Sequence, residues 1–112
     1  MIELSPDRFE EMVADALDTV PPPLARAMRN VVVVVEAGTD PNLLGLYVGI
    51  PLTERRSDYS AVLPDQITIY RNAICARCHT EAEVVAEVRT TVVHEVGHHF
   101  GIDDERLHEL GY

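Results

Sequence analysis

The stretch from Thr80 to Gly101 constrains this chain more than any other. Thr80 followed by Glu83 makes a capping box, and Val85, Val88, Val92 and Val96 recur at helical spacing behind it. Valine is a mediocre helix former, so local propensity over residues 84–93 also permits a strand. The cap and the spacing favour a helix. On that helix His94 and His98 share a face adjoining the valines, because four residues turn about 400° and return to within about 40° of the start. Two imidazoles so placed form a bidentate clamp for a metal ion. Glu95 lies about 100° round the helix, where a carboxylate reaches a water on the metal without binding the metal itself. Such a residue suits a general base.

Catalytic zinc sites take three protein ligands and leave a fourth position for water. Asp104 follows His98 by six residues, and Gly101 between them allows a sharp turn, so a side chain beyond the helix end can approach from a second direction. A carboxylate there completes a His94, His98, Asp104 shell. Asp103 and His108 are alternative third ligands. The chemistry expected of such a site is amide hydrolysis, with the pKa of water lowered to about 7 by zinc and Glu95 taking its proton. His99 falls toward the valine face and is expected to pack or to support the site without binding metal.

The spacing His-Glu-x-x-His-x-x-Gly-x-x-Asp resembles the signature of zincin metallopeptidases, in the Asp-zincin variant of the metzincin pattern. The resemblance implies that His94, His98 and Asp104 are ligands of one zinc per chain, Glu95 is the catalytic base and Gly101 is the turn glycine. The whole chain is also similar to small bacterial zincin-like proteins of unknown function. Gly45-Leu46-Tyr47-Val48-Gly49-Ile50-Pro51-Leu52-Thr53 and Ile67-Thr68-Ile69-Tyr70 carry that likeness upstream of the motif. In zincins an extended substrate pairs with the edge strand above the metal, a role that Ile67–Tyr70 or Leu44–Gly49 would fill here. The chain departs from the pattern in one respect. Eight residues follow Asp104, and the methionines are Met1, Met12 and Met28, so no methionine turn is placed beneath the metal. No residue is thereby assigned to stabilise an oxyanion; Tyr59, His108 and Tyr112 are candidates.

Elsewhere, Ser5 as N-cap and Pro6 at the first helical position open a helix with an apolar stripe at Phe9, Met12, Val13, Ala16, Leu17 and Val20. Pro21-Pro22-Pro23 stops it, and Leu24–Asn30 is expected to form a second short helix. Val31–Val35 is an unbroken valine run, which predicts a strand buried on both faces. Leu44–Leu52, punctuated by Gly45, Gly49 and Pro51, predicts a short or edge strand. Thr53–Asp65 is polar and reads as a long loop, Ile67–Tyr70 alternates as a strand, and Asp103–Leu110 predicts a last short helix. The expected fold is α+β and zincin-like. In it a small mixed sheet packs against the amino-terminal helix and the metal-bearing helix, in a single domain spanning residues 1–112.

Composition narrows the partners. Nineteen acidic residues against nine arginines and no lysine give a net charge of −10, which repels a nucleic-acid backbone; the surface is read first as a solvated acidic one that aids solubility, with a preference for cationic over anionic peptides as the alternative. No run approaches the roughly 20 apolar residues that span a bilayer, and the first residues lack a basic and an apolar signal region, so the expected address is cytoplasmic. Oligomeric state is not legible. Cys75-x-x-Cys78-His79 is a rival metal motif, but a structural zinc needs four ligands and there is no second cysteine pair, so buried or reactive, unmetallated thiols are expected. Arg55, Arg56 and Arg71 are read as solvated or locally paired, and Tyr47 and Tyr70 as strand residues packed by their rings. Two other functional classes stay open: a zincin-shaped metal-binding module without peptidase turnover, and a metal-free helix bearing the motif by chance.

Overall fold

A computed structural model describes residues 1–49, 64–102 and 104–109, with the side chain of Asp104 outside the described part. Helix α1 spans Pro6–Asp18, and the Ser5 hydroxyl accepts from the Arg8 amide at 3.1 Å, as the cap predicts. Phe9, Met12, Val13 and Ala16 are its buried face. Helix α2 spans Pro22–Ala27, starting two residues before the expected Leu24 because Pro22 occupies the first turn, where a missing N–H costs nothing. Strand β1 (Val31–Glu36) follows, then β2 (Gly45–Val48) and β3 (Asp65–Tyr70). Helix α3 (Arg71–Arg77) leads into α4 (Glu81–His99), and α5 covers Asp104–Glu109.

The three strands form one mixed sheet in the order β1-β3-β2, parallel between β1 and β3 and antiparallel between β2 and β3. The architecture is therefore α+β, as expected. Ile67 and Ile69 of the central strand are fully buried beneath α4, which also packs on β2 and on α1. In α4 the core positions are Val84, Val88, Val92, Val93 and Val96, each at most 1% exposed. Full burial contributes about 1.5–3 kcal/mol per side chain, whereas valine's helix deficit is at most about 0.7 kcal/mol. Tertiary burial thus decides for helix where local propensity was ambivalent. Val84 takes the fully buried place expected of Val85, which is half-buried.

Three expectations need correction. The valine run is not buried on both faces, since β1 lies at the sheet's margin and Val32 remains 42% exposed. Asp65 belongs to β3, not to a loop; the rest of the expected loop, from Thr53 to Leu63, lies outside the described residues along with Arg55, Arg56 and Tyr59. Helix α3 was not foreseen. It lacks a side-chain N-cap and is held by burial of Ala73, Ile74 and Cys75 and by the Ile2 amide donating to the Cys75 carbonyl at 3.1 Å.

Candidate metal centre

Helix α4 begins as the capping box predicts: the Thr80 hydroxyl accepts from the Glu83 amide at 3.1 Å. The Glu83 carboxylate reaches back one residue further than usual and accepts from the His79 amide, also at 3.1 Å. With its start fixed, the helix carries His94 and His98 onto one face, ring centres 6.0 Å apart with planes at 67°. Imidazoles sharing a zinc at about 2.1 Å per Zn–N bond have ring centres roughly 5 Å apart. A modest side-chain rotation therefore converts the observed pair into a bidentate clamp. His94 and Glu95 are half-buried and His98 is exposed.

The far end of α4 is a Schellman turn. The Gly101 amide donates to the His98 carbonyl at 3.1 Å, and the Ile102 amide to the Gly97 carbonyl at 2.7 Å. Gly101 adopts φ +77°, and a Cβ placed there would meet nothing within 4 Å. Its glycine is required by conformation, not by space. The reversed chain then runs into α5, whose fully buried Leu107 seats against Gly97 inside the motif itself. A Cβ on Gly97 would lie 2.7 Å from a Leu107 methyl. The motif's two glycines thus have different tasks, one turning the chain and one letting it pack back.

Asp104 is the first residue of α5, just beyond this turn. Its side chain, like the alternative ligand Asp103 and the oxyanion candidate Tyr112, lies outside the described residues. Among the described residues no three His, Cys, Asp or Glu side chains converge to hold a metal. His108 is described and exposed on α5. Cys75 and Cys78 are free of a disulfide and buried, the first of the two states expected for them. Burial pushes both thiols up from their ordinary pKa, with acidic Glu87 and Glu83 adding to the effect at Cys78.

Beside the histidines lies a cleft of about 270 Å³. One wall is the α4 face from Glu87 through Thr91 to His98, and the other is the chain from Asn42 to Gly45 that enters β2. Gly45 sets the approach of the two walls, since a Cβ there would lie 2.6 Å from the Thr91 side-chain methyl. Of the two segments proposed to be an edge strand, Ile67–Tyr70 is excluded because β3 is paired on both sides. Within Leu44–Gly49, β2 is the outer strand beside α4 among the described residues. The Tyr70 amide donates to the Leu44 carbonyl, and antiparallel pairing then turns the N–H and C=O of Gly45 and Tyr47 away from β3.

His99 is not packed into the valine face. It stacks on Tyr47 of β2 with ring centres 3.9 Å apart and planes at 18°, while the Tyr47 hydroxyl donates to Asp65 at 2.7 Å. Sequence reasoning assigned no role to Asp65. No local signal marks it, because its partners come from a strand 18 residues away and from the end of α4.

A helix-borne His-Glu-x-x-His pair beside the antiparallel edge of a small mixed sheet defines a zincin-type architecture. The chain belongs to the zincin-like metallopeptidase family, whose model matches residues 25–112. No curated protein matches it. Among solved structures it is similar to a conserved hypothetical protein from Thermo thermophilus, at 24% identity and TM-score 0.55, over 86% of this chain and 94% of that one. That likeness concerns the fold. Among the described residues no helix is long and apolar enough to cross a membrane.

Proposed function

We propose that the protein is a zinc-dependent peptidase acting on peptides or unfolded protein segments, with one zinc per chain held by His94, His98 and Asp104. The observation that carries this reading is the shared face of His94 and His98 at the cleft, in a chain of the zincin-like metallopeptidase family. Two neutral imidazoles and a carboxylate suit a four-coordinate zinc with one position open. Bound there, zinc supplies Lewis acidity, bringing the pKa of water near 7 and polarising a carbonyl.

The chain's own residues do the rest. Glu95, half-buried in the cleft next to the first ligand, accepts the proton from the attacking water and returns it to the leaving amine. The outward N–H and C=O groups of Gly45 and Tyr47 hold an extended peptide alongside α4, which fixes its carbonyl relative to Glu95. A negatively charged protein surface disfavours nucleic acid as a substrate.

Elemental analysis of the wild type beside His94→Ala, followed by a peptide-library digest of wild type and Glu95→Gln, tests this reading. Near-stoichiometric zinc is expected in wild type and in Glu95→Gln, with loss of metal in His94→Ala and loss of cleavage in both variants. Cleavage retained by Glu95→Gln would reject the base. Zinc without turnover in the wild type would leave a metal-binding module, and no zinc after chelator-free purification would leave an accidental motif.

A further inference from the structure

Glu87 is an acidic group in the cleft that the peptidase reaction does not use. It stands seven residues before His94 on the same helical face, about 10 Å along the axis. It is half-buried and lines the cleft, as do Thr90 and Asn42. Leu43 and Leu44 line the opposite wall. The cleft therefore combines aliphatic side chains with a carboxylate, a hydroxyl and a side-chain amide. No arginine lines it among the described residues.

We propose that this cleft selects peptides carrying a lysine or arginine close to the bond to be cut, with Glu87 as the counter-charge. The inference rests on the peptidase reading for the word "cut" alone; the recognition itself is a binding property. A long basic side chain lays its methylene stem along apolar surface and keeps its charged head in polar surroundings. Leu43 and Leu44 provide the surface and Glu87 the surroundings. The distance suits the mode, because one or two residues of extended chain at about 3.3 Å each and one long side chain cover the span from the histidines to Glu87. A glutamate side chain in the same place would face the Glu87 carboxylate, with no arginine of the described lining to offset it. The overall charge of −10 adds long-range attraction for cationic peptides, but the choice of position is made in the cleft.

The test is peptide binding by the zinc-loaded full-length Glu95→Gln protein, read by fluorescence anisotropy with labelled peptides that differ at one position: lysine, leucine or glutamate. The lysine peptide is expected to bind roughly fivefold tighter than the leucine peptide and tighter still than the glutamate peptide, with the preference falling as salt rises. Adding Glu87→Gln should reduce the lysine preference to within about twofold, and Glu87→Arg should turn it toward glutamate. Glu10→Gln, on an exposed face of α1, makes the same change in net charge and should leave the preference intact. A lysine preference that survives Glu87→Gln, or that falls equally in Glu10→Gln, overturns the proposal. So does the absence of measurable binding by the lysine peptide. Glu87-dependent binding by a wild type that cleaves nothing would instead overturn the peptidase reading and leave this one standing.

Discussion

Tyr47 and His99 lie face to face, ring centres 3.9 Å apart, and so join the edge strand β2 to the last turn of the helix that bears the metal motif. The Tyr47 hydroxyl extends the link to Asp65 on the central strand at 2.7 Å, and His99 Nε2 lies 3.7 Å from the same carboxylate oxygen. Three elements thereby meet one residue beyond His98, the second histidine of the motif. The spacing of cleft wall and metal helix is set at this point and at Gly45.

Separate removal of the two parts of this link has different costs. Tyr47→Phe keeps the stack and loses the hydrogen bond, which should lower stability by about 1 kcal/mol. Tyr47→Ala loses the ring as well and should cost about 3 kcal/mol. Urea denaturation followed by circular dichroism measures both. Equal losses in the two variants would show that the stack contributes nothing.

The two glycines of the motif should fail in distinguishable ways. Gly101→Ala puts a Cβ into the left-handed region, a cost of about 1–2 kcal/mol, and Gly101→Asn should cost less because asparagine tolerates that conformation. Neither meets a neighbour, so trimming nearby side chains should not help. Gly97→Ala gains up to about 1 kcal/mol of helix propensity but forces Leu107 aside, which costs about 1–3 kcal/mol. A net loss is expected. It should shrink in Leu107→Ala, giving a non-zero coupling in a double-mutant cycle. Additive effects would mean that α5 does not depend on the space at Gly97.

The thiols of Cys75 and Cys78 are pushed above their ordinary pKa by burial, so the folded protein holds their protons where the unfolded chain releases them. The stability this contributes is fully present below the ordinary thiol range near 8.5 and is lost as pH rises through the higher folded values. Unfolding free energy measured from pH 7.5 to 10 should fall more steeply for the wild type than for a Cys75→Ala, Cys78→Ala variant. Alkylation at pH 8 should be slow in the folded protein and rapid in urea. Fast labelling of the folded protein would contradict the burial of both groups.

Local chemistry was legible wherever one segment contained both halves of an interaction. Ser5 with Arg8, Thr80 with Glu83, the helical return from His94 to His98 and the turn at Gly101 are all closed within a few residues, so sequence spacing determined them. Helix α3 was not legible because it has no side-chain N-cap and owes its form to contacts with the amino terminus and the core. The valine run of β1 could not reveal its marginal place, since five identical side chains carry no alternation to say which face is covered.

The sequence by itself determined the helix that carries the motif, because that depends on periodicity and caps, and its motif spacing carried the resemblance to the family. Only the tertiary structure decided that β2 and not β3 is the outer strand among the described residues, that Tyr47, Asp65 and His99 join it to α4 and β3, and that Glu87 lines the cleft. Each of these is a meeting of segments far apart in the chain. Such a meeting is fixed by which surfaces bury together, a property of the whole core that no single segment records.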